Sequence, residues 1–434
     1  MYTTPQHLIS LTVRAEAGDP AAMLELAQAL DLQNDRKAWD WAQKAALLGY
    51  IPAQTQVAAW QIAGRHIDRN TEQGFKLMLN AAKAGDLAAQ QLVSVLYSSG
   101  YIGEADWDAA LTWLIRAAKT GSVSALRQIA FLMRPLPHLR PLRHTLYYTA
   151  ASAGDSLAAY LLGEDLCASS DSAENALGVG WILHAAENGN AAANLHTSTL
   201  VGRKMRQPAA PPQVKRIPWG DIKRLIALPH THNLPKAETL SKSPNITVRR
   251  GMLGSTLCDY MISVGAGHLS GATVHDAAAG EIADDSRTNS YANFRLLESD
   301  VVVQSINTLI MKAMDHPVSH ADPLSLLHYR PGQSYRPHYD FFDPDYPAHQ
   351  HHLASSGQRI KTGLVYLNEN YSGGATRFCD VNIDFKGGLG DFLCFDNLLP
   401  DGSPDRRTLH SGEPPIVNDK WLLSKWARAS HVPL

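Results

Sequence analysis

A short unit recurs through the first half of the chain, and its period leaves few folds open. Small residues lead into one glycine, and an apolar-periodic stretch follows, as in Ala-Lys-Ala-Gly85-Asp-Leu-Ala-Ala. The units centre on Gly18, Gly49, Gly85, Gly121, Gly154 and Gly189, so successive glycines lie 31, 36, 36, 33 and 35 residues apart. A period in the mid-thirties is that of stacked helix pairs. Each glycine stands where a helix should stop, because glycine enters the left-handed C′ conformation without a Cβ clash. In five of the six units the next residue is Asp, Ser or Asn, a side chain that caps the following helix. Apolar residues then return at helical spacing, as at Leu92, Val95 and Leu96. Bulky residues (Trp39, Trp41, Phe75, Leu77, Trp113, Trp181) mark the second helix of each pair, and the alanines let helices approach closely. The prediction is an α-solenoid of helical repeats.

These units resemble the Sel-like subfamily of tetratricopeptide-type repeats, which pair Ala-x-x-Gly-(Asp/Asn)-x-x-Ala with an aromatic-bearing second helix. The resemblance covers roughly residues 12–202. The glycine-rich turn inside the unit is mostly missing, and Arg134-Pro-Leu-Pro-His-Leu-Arg-Pro141 interrupts one unit. Solenoids of this kind offer a concave surface to a peptide or protein, so a protein partner is expected for this half.

Charge divides the chain at the same place. The 434 residues carry 39 basic and 41 acidic side chains, which excludes a strongly basic nucleic-acid binder and an acidic disordered chain. Residues 203–250, however, hold 11 basic against 2 acidic side chains, and seven prolines. Such a segment is extended and semi-rigid. It reads as a solubilising connector that lies on the acidic half after it, rather than as a nucleic-acid arm, since Trp219 is its sole aromatic for base stacking. The division is residues 1–202 repeats, 203–244 connector and 245–434 second domain. Four cysteines without CxxC spacing, no apolar stretch of membrane-spanning length and no signal-like N-terminus predict a cytoplasmic protein with no membrane partner.

From about residue 245 the pattern turns to short β-rich runs between turn residues. They are Leu324–Tyr329, Arg359–Leu367, Thr376–Phe385, Asp391–Phe395 and Trp421–Arg428, with helices around Ser255–Val264 and Asn293–Ala313. That pattern predicts a jelly roll. The segment Tyr329-Arg-Pro-Gly-Gln-Ser-Tyr335-Arg-Pro-His338-Tyr-Asp340 holds a His-x-Asp pair. On a strand, residues i and i+2 share a face, so imidazole and carboxylate would converge. With His410 they make two histidines and one carboxylate, the facial set of non-haem Fe(II) oxygenases. Two decoys, His66-Ile-Asp68 and His320-Ala-Asp322, lack a partner histidine in β context. The run His349-Gln-His-His352 reads as solvated histidines in a mobile loop. Lys420, in Lys420-Trp-Leu-Leu-Ser-Lys-Trp426, puts a cation in an apolar strand, and a buried lysine demands an anion.

Residues 250–430 resemble the prolyl 4-hydroxylase family of Fe(II)- and 2-oxoglutarate-dependent dioxygenases. The motifs occur in order: the His338 segment, Gln358-Arg-Ile-Lys-Thr362, Gly373-Gly-Ala375-Thr-Arg-Phe378, Leu409-His410-Ser-Gly-Glu-Pro-Pro, and Lys420-Trp. The resemblance implies a double-stranded β-helix in which His338, Asp340 and His410 bind iron. It implies that Lys420 binds the distal carboxylate of 2-oxoglutarate, with Tyr329, Thr362 and Trp426 lining that pocket. Arg287, Tyr335 and Arg359 are the substrate-binding candidates, Arg287-Thr-Asn289-Ser290 being similar to the family's lid segment. Ala375 replaces the usual Glu and Asn289 is extra, so both departures touch substrate identity. The implied cofactors are Fe(II), 2-oxoglutarate and O2, with ascorbate as reductant. The implied reaction hydroxylates a prolyl residue in a protein or peptide held by the repeats, with succinate and CO2 as coproducts. The alternatives are hydroxylation of a small molecule or free amino acid, and an iron- or oxygen-responsive scaffold. A detachable substrate arm further implies that deleting residues 1–202 spares uncoupled 2-oxoglutarate decarboxylation.

Overall fold

A computed structural model describes residues 5–271, 274–276, 280–282 and 285–433. Helices follow one another from Pro5–Glu16 to Ala191–His196 and pack as antiparallel neighbours. The repeat glycines do what their chemistry requires: Gly85 has φ +103° and Gly121 +100°, and the other four are also positive. Asp19, Asp86, Ser122, Asp155 and Asn190 then cap the next helix through their side chains. Tyr50, the exception in sequence, supplies no side-chain cap. The Pro-rich stretch at 134–141 does not end the array. It forms a 3-10 turn at Pro137–Leu139 and leads straight into helix Arg140–Ser152. Asp86 also accepts from Thr55 Oγ1 at 3.0 Å, which ties two successive units. Asp86→Ala should therefore cost about 1 kcal/mol in urea unfolding, and Asp86→Asn less.

The second half is a jelly roll. Its large sheet runs in the order 238–242, 245–249, 392–396, 359–366, 420–428, 324–329, 290–294 and 270–271. The small sheet runs 383–385, 376–378, 410–412 and 335–338. Ile246, Leu327, Leu364, Phe378, Phe395 and Leu422 fill the space between the sheets. Helices Ser255–Gly265 and Val301–Ala313 cover the outer face of the large sheet. Several sequence expectations are corrected here. The run 376–385 is two strands, turned at Asn382 with φ +54°. The run 293–313 opens as strand Ser290–Phe294, and its helix starts only after Asp300, whose side chain caps Val303 N. The histidines at 349–352 sit on helix Pro347–Ser356, where His352 stacks on Phe342 at 4.9 Å, so they are not a solvated loop.

The two halves share one core. Apolar side chains from Leu111 to Leu200 pack continuously with Tyr260, Val301, Ile306 and Leu423. Polar contacts lock the seam. Tyr160 Oη donates to Asp259 at 2.9 Å and Val301 N donates to Gln128 Oε1 at 3.1 Å, while within the second half Tyr260 Oη donates to Asp300 at 2.6 Å. Arg127 pairs with Asp155 and reaches Asp300 at 3.4 Å. The array is thus a structural flank of the second half and not a detachable arm.

The basic connector lies mainly on the helices, not on the acidic half. Trp181 Nε1 donates to Ala209 O at 3.1 Å, Ala227 N donates to Leu132 O at 2.8 Å, and Lys223 pairs with Asp108. Apolar anchors decide this over net charge: Val214, Ile217, Ile222 and Leu228 pack into the shared core. Among the described residues its end meets helix Val301–Ala313, where His230 N donates to Ser305 Oγ at 3.0 Å. Residues 238–242, inside the expected connector, form the outermost strand of the large sheet. Among the described residues, no helix is long and apolar enough to cross a membrane.

Candidate active site

Small-sheet pairing builds the site. His410 lies opposite His338 in register, and Phe378 lies on the other side of His410. The strand Tyr335–His338 ends at His338, so Asp340 sits just beyond it rather than two places along it. The convergence still holds. Asp340 Oδ1 is 3.6 Å from His338 Nε2, and Oδ2 is 3.6 Å from His410 Nε2. Each histidine places its Nδ1 against a backbone carbonyl, Arg336 O at 2.8 Å and Thr408 O at 2.9 Å. An Nδ1–H donating there leaves the Nε2 lone pairs pointing at one spot, the tautomer a metal needs. Burial, with His410 beside it, pushes His338 down to about 3, so it stays neutral. Burial alone would raise Asp340, but His410, His338 and Arg359 hold its carboxyl below the usual range. Among the described residues this is the one cluster whose ligand atoms all lie within 4.8 Å of one another.

Thr362 Oγ1 donates to Asp340 Oδ2 at 2.7 Å and itself accepts from Asn397 Nδ2 at 3.0 Å. It orients the carboxylate and is not on the cleft wall. Asn397 escaped sequence reasoning, since nothing in its neighbourhood marks it as a partner of Thr362. Strand parity builds the remaining wall. Lys420, Leu422, Ser424 and Trp426 alternate inward along strand Lys420–Arg428, and with Tyr329, Leu327 and Leu364 they face the triad. The unmarked Thr376, Ser411 and Gly412 join them. Their signal was the same period of two, which is weak in strands this short.

Lys420 is fully buried, and its Nζ has no hydrogen-bond partner among the described residues. It lies 5.1 Å from the Tyr329 ring centre and 5.6 Å from that of Tyr366. Trp426 Nε1, on the same wall, is also buried and unpaired. A buried ammonium without a counter-charge is costly, so the site asks for an anion beside the triad. Burial pushes Lys420 down to about 7. Lys425 is pushed to about 7 by burial as well. Their folded pKa values lie below the ordinary lysine value of about 10.4, so between these limits the unfolded chain binds more protons. Stability of the unliganded chain should therefore rise from about pH 7 to about pH 9. Lys420→Met should flatten that slope in thermal melts and raise stability at about pH 7.

The substrate candidates separate. Arg287 lies over the Tyr335 ring at 4.8 Å, both on the cleft, and Tyr335 stacks on His338 at 3.5 Å. The extra Asn289 is buried and accepts from Arg287 Nε at 3.2 Å, so it positions that arginine. Arg359 is committed elsewhere: its Nε donates to Asp322 at 2.7 Å and it lies over Trp426 at 4.1 Å. The structure does not bring it to the cleft. The decoys are also spent, Asp322 on Arg359 and Arg428, and His66 on Asp31 at 2.6 Å.

The profile of the 2OG-Fe(II) oxygenase superfamily matches residues 324–428, which hold the triad and Lys420. A probable prolyl 4-hydroxylase 3 of Arabidopsis thaliana is 31% identical over 208 residues, covering 44% of this chain and 71% of that one. The chain belongs to the prolyl 4-hydroxylase family. A probable prolyl 4-hydroxylase 10 of the same plant is 32% identical over 210 residues, covering 44% and 71%. Among solved structures, the viral collagen prolyl hydroxylase of Paramecium bursaria Chlorella virus-1 is 22% identical, covering 42% of this chain and 96% of that one, with a TM-score of 0.34. A Sel1 repeat protein from Oxalobacter formigenes is 22% identical, covering 46% and 83%, with a TM-score of 0.38. The family makes this chain a 2-oxoglutarate-dependent dioxygenase that works with Fe(II), 2-oxoglutarate and O2.

Proposed function

We propose that the chain hydroxylates a prolyl residue in a protein or peptide, with succinate and CO2 as coproducts. The observation that carries this is the unpartnered, buried Lys420 facing the His338–Asp340–His410 cluster in one cleft. The donor set suits Fe(II), and the buried ammonium of Lys420 suits the far carboxylate of 2-oxoglutarate. His338, Asp340 and His410 would hold the metal, which when bound supplies the activation of O2 for C–H oxidation.

This chain's own residues bind, orient and exclude water. Thr362 and Asn397 keep the Asp340 oxygens turned to the histidines. Tyr329, Leu327, Leu364 and Leu422 make the walls apolar, which strengthens the Lys420–carboxylate pair by excluding water. Arg287 and Tyr335 stand beside His338, where a prolyl ring would pack on the tyrosine face. The plant relatives, named as prolyl 4-hydroxylases, support this substrate class. In this reading the repeats form a fixed surface that presents the target protein, and ascorbate keeps the metal reduced.

The test is peptide mass spectrometry of cell extract incubated with the full chain, Fe(II) and 2-oxoglutarate. A gain of one oxygen atom on proline, absent with Asp340→Ala, is expected. Oxidation confined to free amino acids or other small molecules would overturn the peptide assignment.

A further inference from the structure

The iron cleft uses only one face of strand Lys420–Arg428. On the opposite face, Trp421, Leu423 and Ala427 pack towards the helices, and Lys425 shares that side. There the large sheet and the helical array enclose a cavity of about 650 Å³. That is well within the range of small-ligand pockets, about 300–1,000 Å³. Trp60 from the array and Phe294, Leu296 and Leu324 from the oxygenase supply apolar walls, and Asp31, Arg65, Arg295 and Glu298 also line it.

Two polar groups in the wall are incompletely used. Lys425 is 1% exposed, and its Nζ donates to Asp322 O at 2.6 Å. An ammonium has three donors, and no carboxylate closes on this one among the described residues. The nearby Asp322 carboxylate is already taken, by Arg359 at 2.7 Å and Arg428 at 2.8 Å. Three cations therefore surround one buried anion, and the local sum is positive. Independently, Asn307 lines the same cavity, and its buried Oδ1 has no hydrogen-bond partner among the described residues. Its residue is 5% exposed.

We propose that this cavity is a second ligand site, which binds a small apolar monocarboxylate. The carboxylate meets Lys425 and offsets the excess positive charge. The apolar body lies against Trp60, Phe294 and Leu324. A hydroxyl or amide N–H on that body would satisfy Asn307. The depressed Lys425 pKa agrees with an ammonium that lacks its counter-ion. The ligand would bridge array and oxygenase, so its binding would tighten the seam between them.

The test uses the full chain at neutral pH with octanoate and dodecanoate as probes and octanol as the uncharged control. Calorimetry should show saturable binding of dodecanoate at one site per chain, with a raised melting temperature. Octanol should bind at least tenfold more weakly. Lys425→Met should weaken dodecanoate at least tenfold. Ala59→Phe, which fills the cavity from its array side and removes no buried polar contact, should do the same and serves if Lys425→Met does not fold. Absence of saturable binding to the wild type would overturn the proposal. So would unchanged affinity in Ala59→Phe, equal binding of octanol, or competition by 2-oxoglutarate, which would place the probe in the iron cleft.

Discussion

Deletion of residues 1–202 should yield a chain that no longer folds to a stable oxygenase. The seam carries the argument. Tyr260, Met261, Val301, Val302 and Ile306 are each at most 0% exposed in the intact chain, and they belong to the core that continues into the array. Uncovering one large apolar side chain forfeits about 1.5–3 kcal/mol. A typical domain has only about 5–15 kcal/mol in total, so uncovering several consumes it. Tyr160, Gln128 and Arg127 leave with the array, so Asp259, the Val301 N–H and Asp300 lose their respective partners. The point variant Asp300→Ala samples the same seam without truncation. It removes the cap on helix Val301–Ala313 and strands Tyr260 Oη, at a cost of about 3 kcal/mol or more. Urea unfolding checks both. A fragment 203–434 that unfolds at the same midpoint as the full chain would show the array to be dispensable. The expectation that this fragment keeps uncoupled decarboxylation is thereby replaced.

Asp340→Ala should abolish turnover and iron binding together while the chain stays folded. Asp340 is the single carboxylate of the cluster, and its loss leaves two imidazoles, too few donors to hold Fe(II) against water. Thr362→Val is the graded companion. It keeps the shape of the side chain but removes the hydroxyl that donates to Asp340 Oδ2. Losing an outer partner of this kind typically costs about 10–100-fold in metal affinity or activity. Added iron should partly rescue Thr362→Val and should not rescue Asp340→Ala. Metal content by elemental analysis and 2-oxoglutarate consumption measure the two effects separately.

Residues with local chemistry were legible in the sequence. Glycine followed by a capping side chain located helix boundaries, because both effects act within one turn. The run Trp421–Arg428 was placed to within one residue of its strand, and Leu324–Tyr329 was bounded as found. What depended on docking was not legible. Nothing local tells that Tyr160 and Gln128, polar residues on Ala-rich helices, meet Asp259 and Val301 across the seam. The connector's destination was misjudged because net charge was weighed above its scattered apolar anchors. Lys425 was overlooked beside Lys420, although odd spacing puts it on the other face of the same strand. Arg359 was assigned to substrate because its strand resembles the family's, while its partner Asp322 lies in a loop that sequence spacing could not bring near.

The most direct measurement couples the two products. The full chain is incubated with Fe(II), O2, limiting 2-oxoglutarate and a proline-containing peptide found by the oxidation screen. Succinate and hydroxyproline are then counted. The account predicts one hydroxyproline for each succinate, with both lost when iron is removed or in Asp340→Ala. Peptide oxidation that proceeds without 2-oxoglutarate, or that survives in Asp340→Ala, would contradict it.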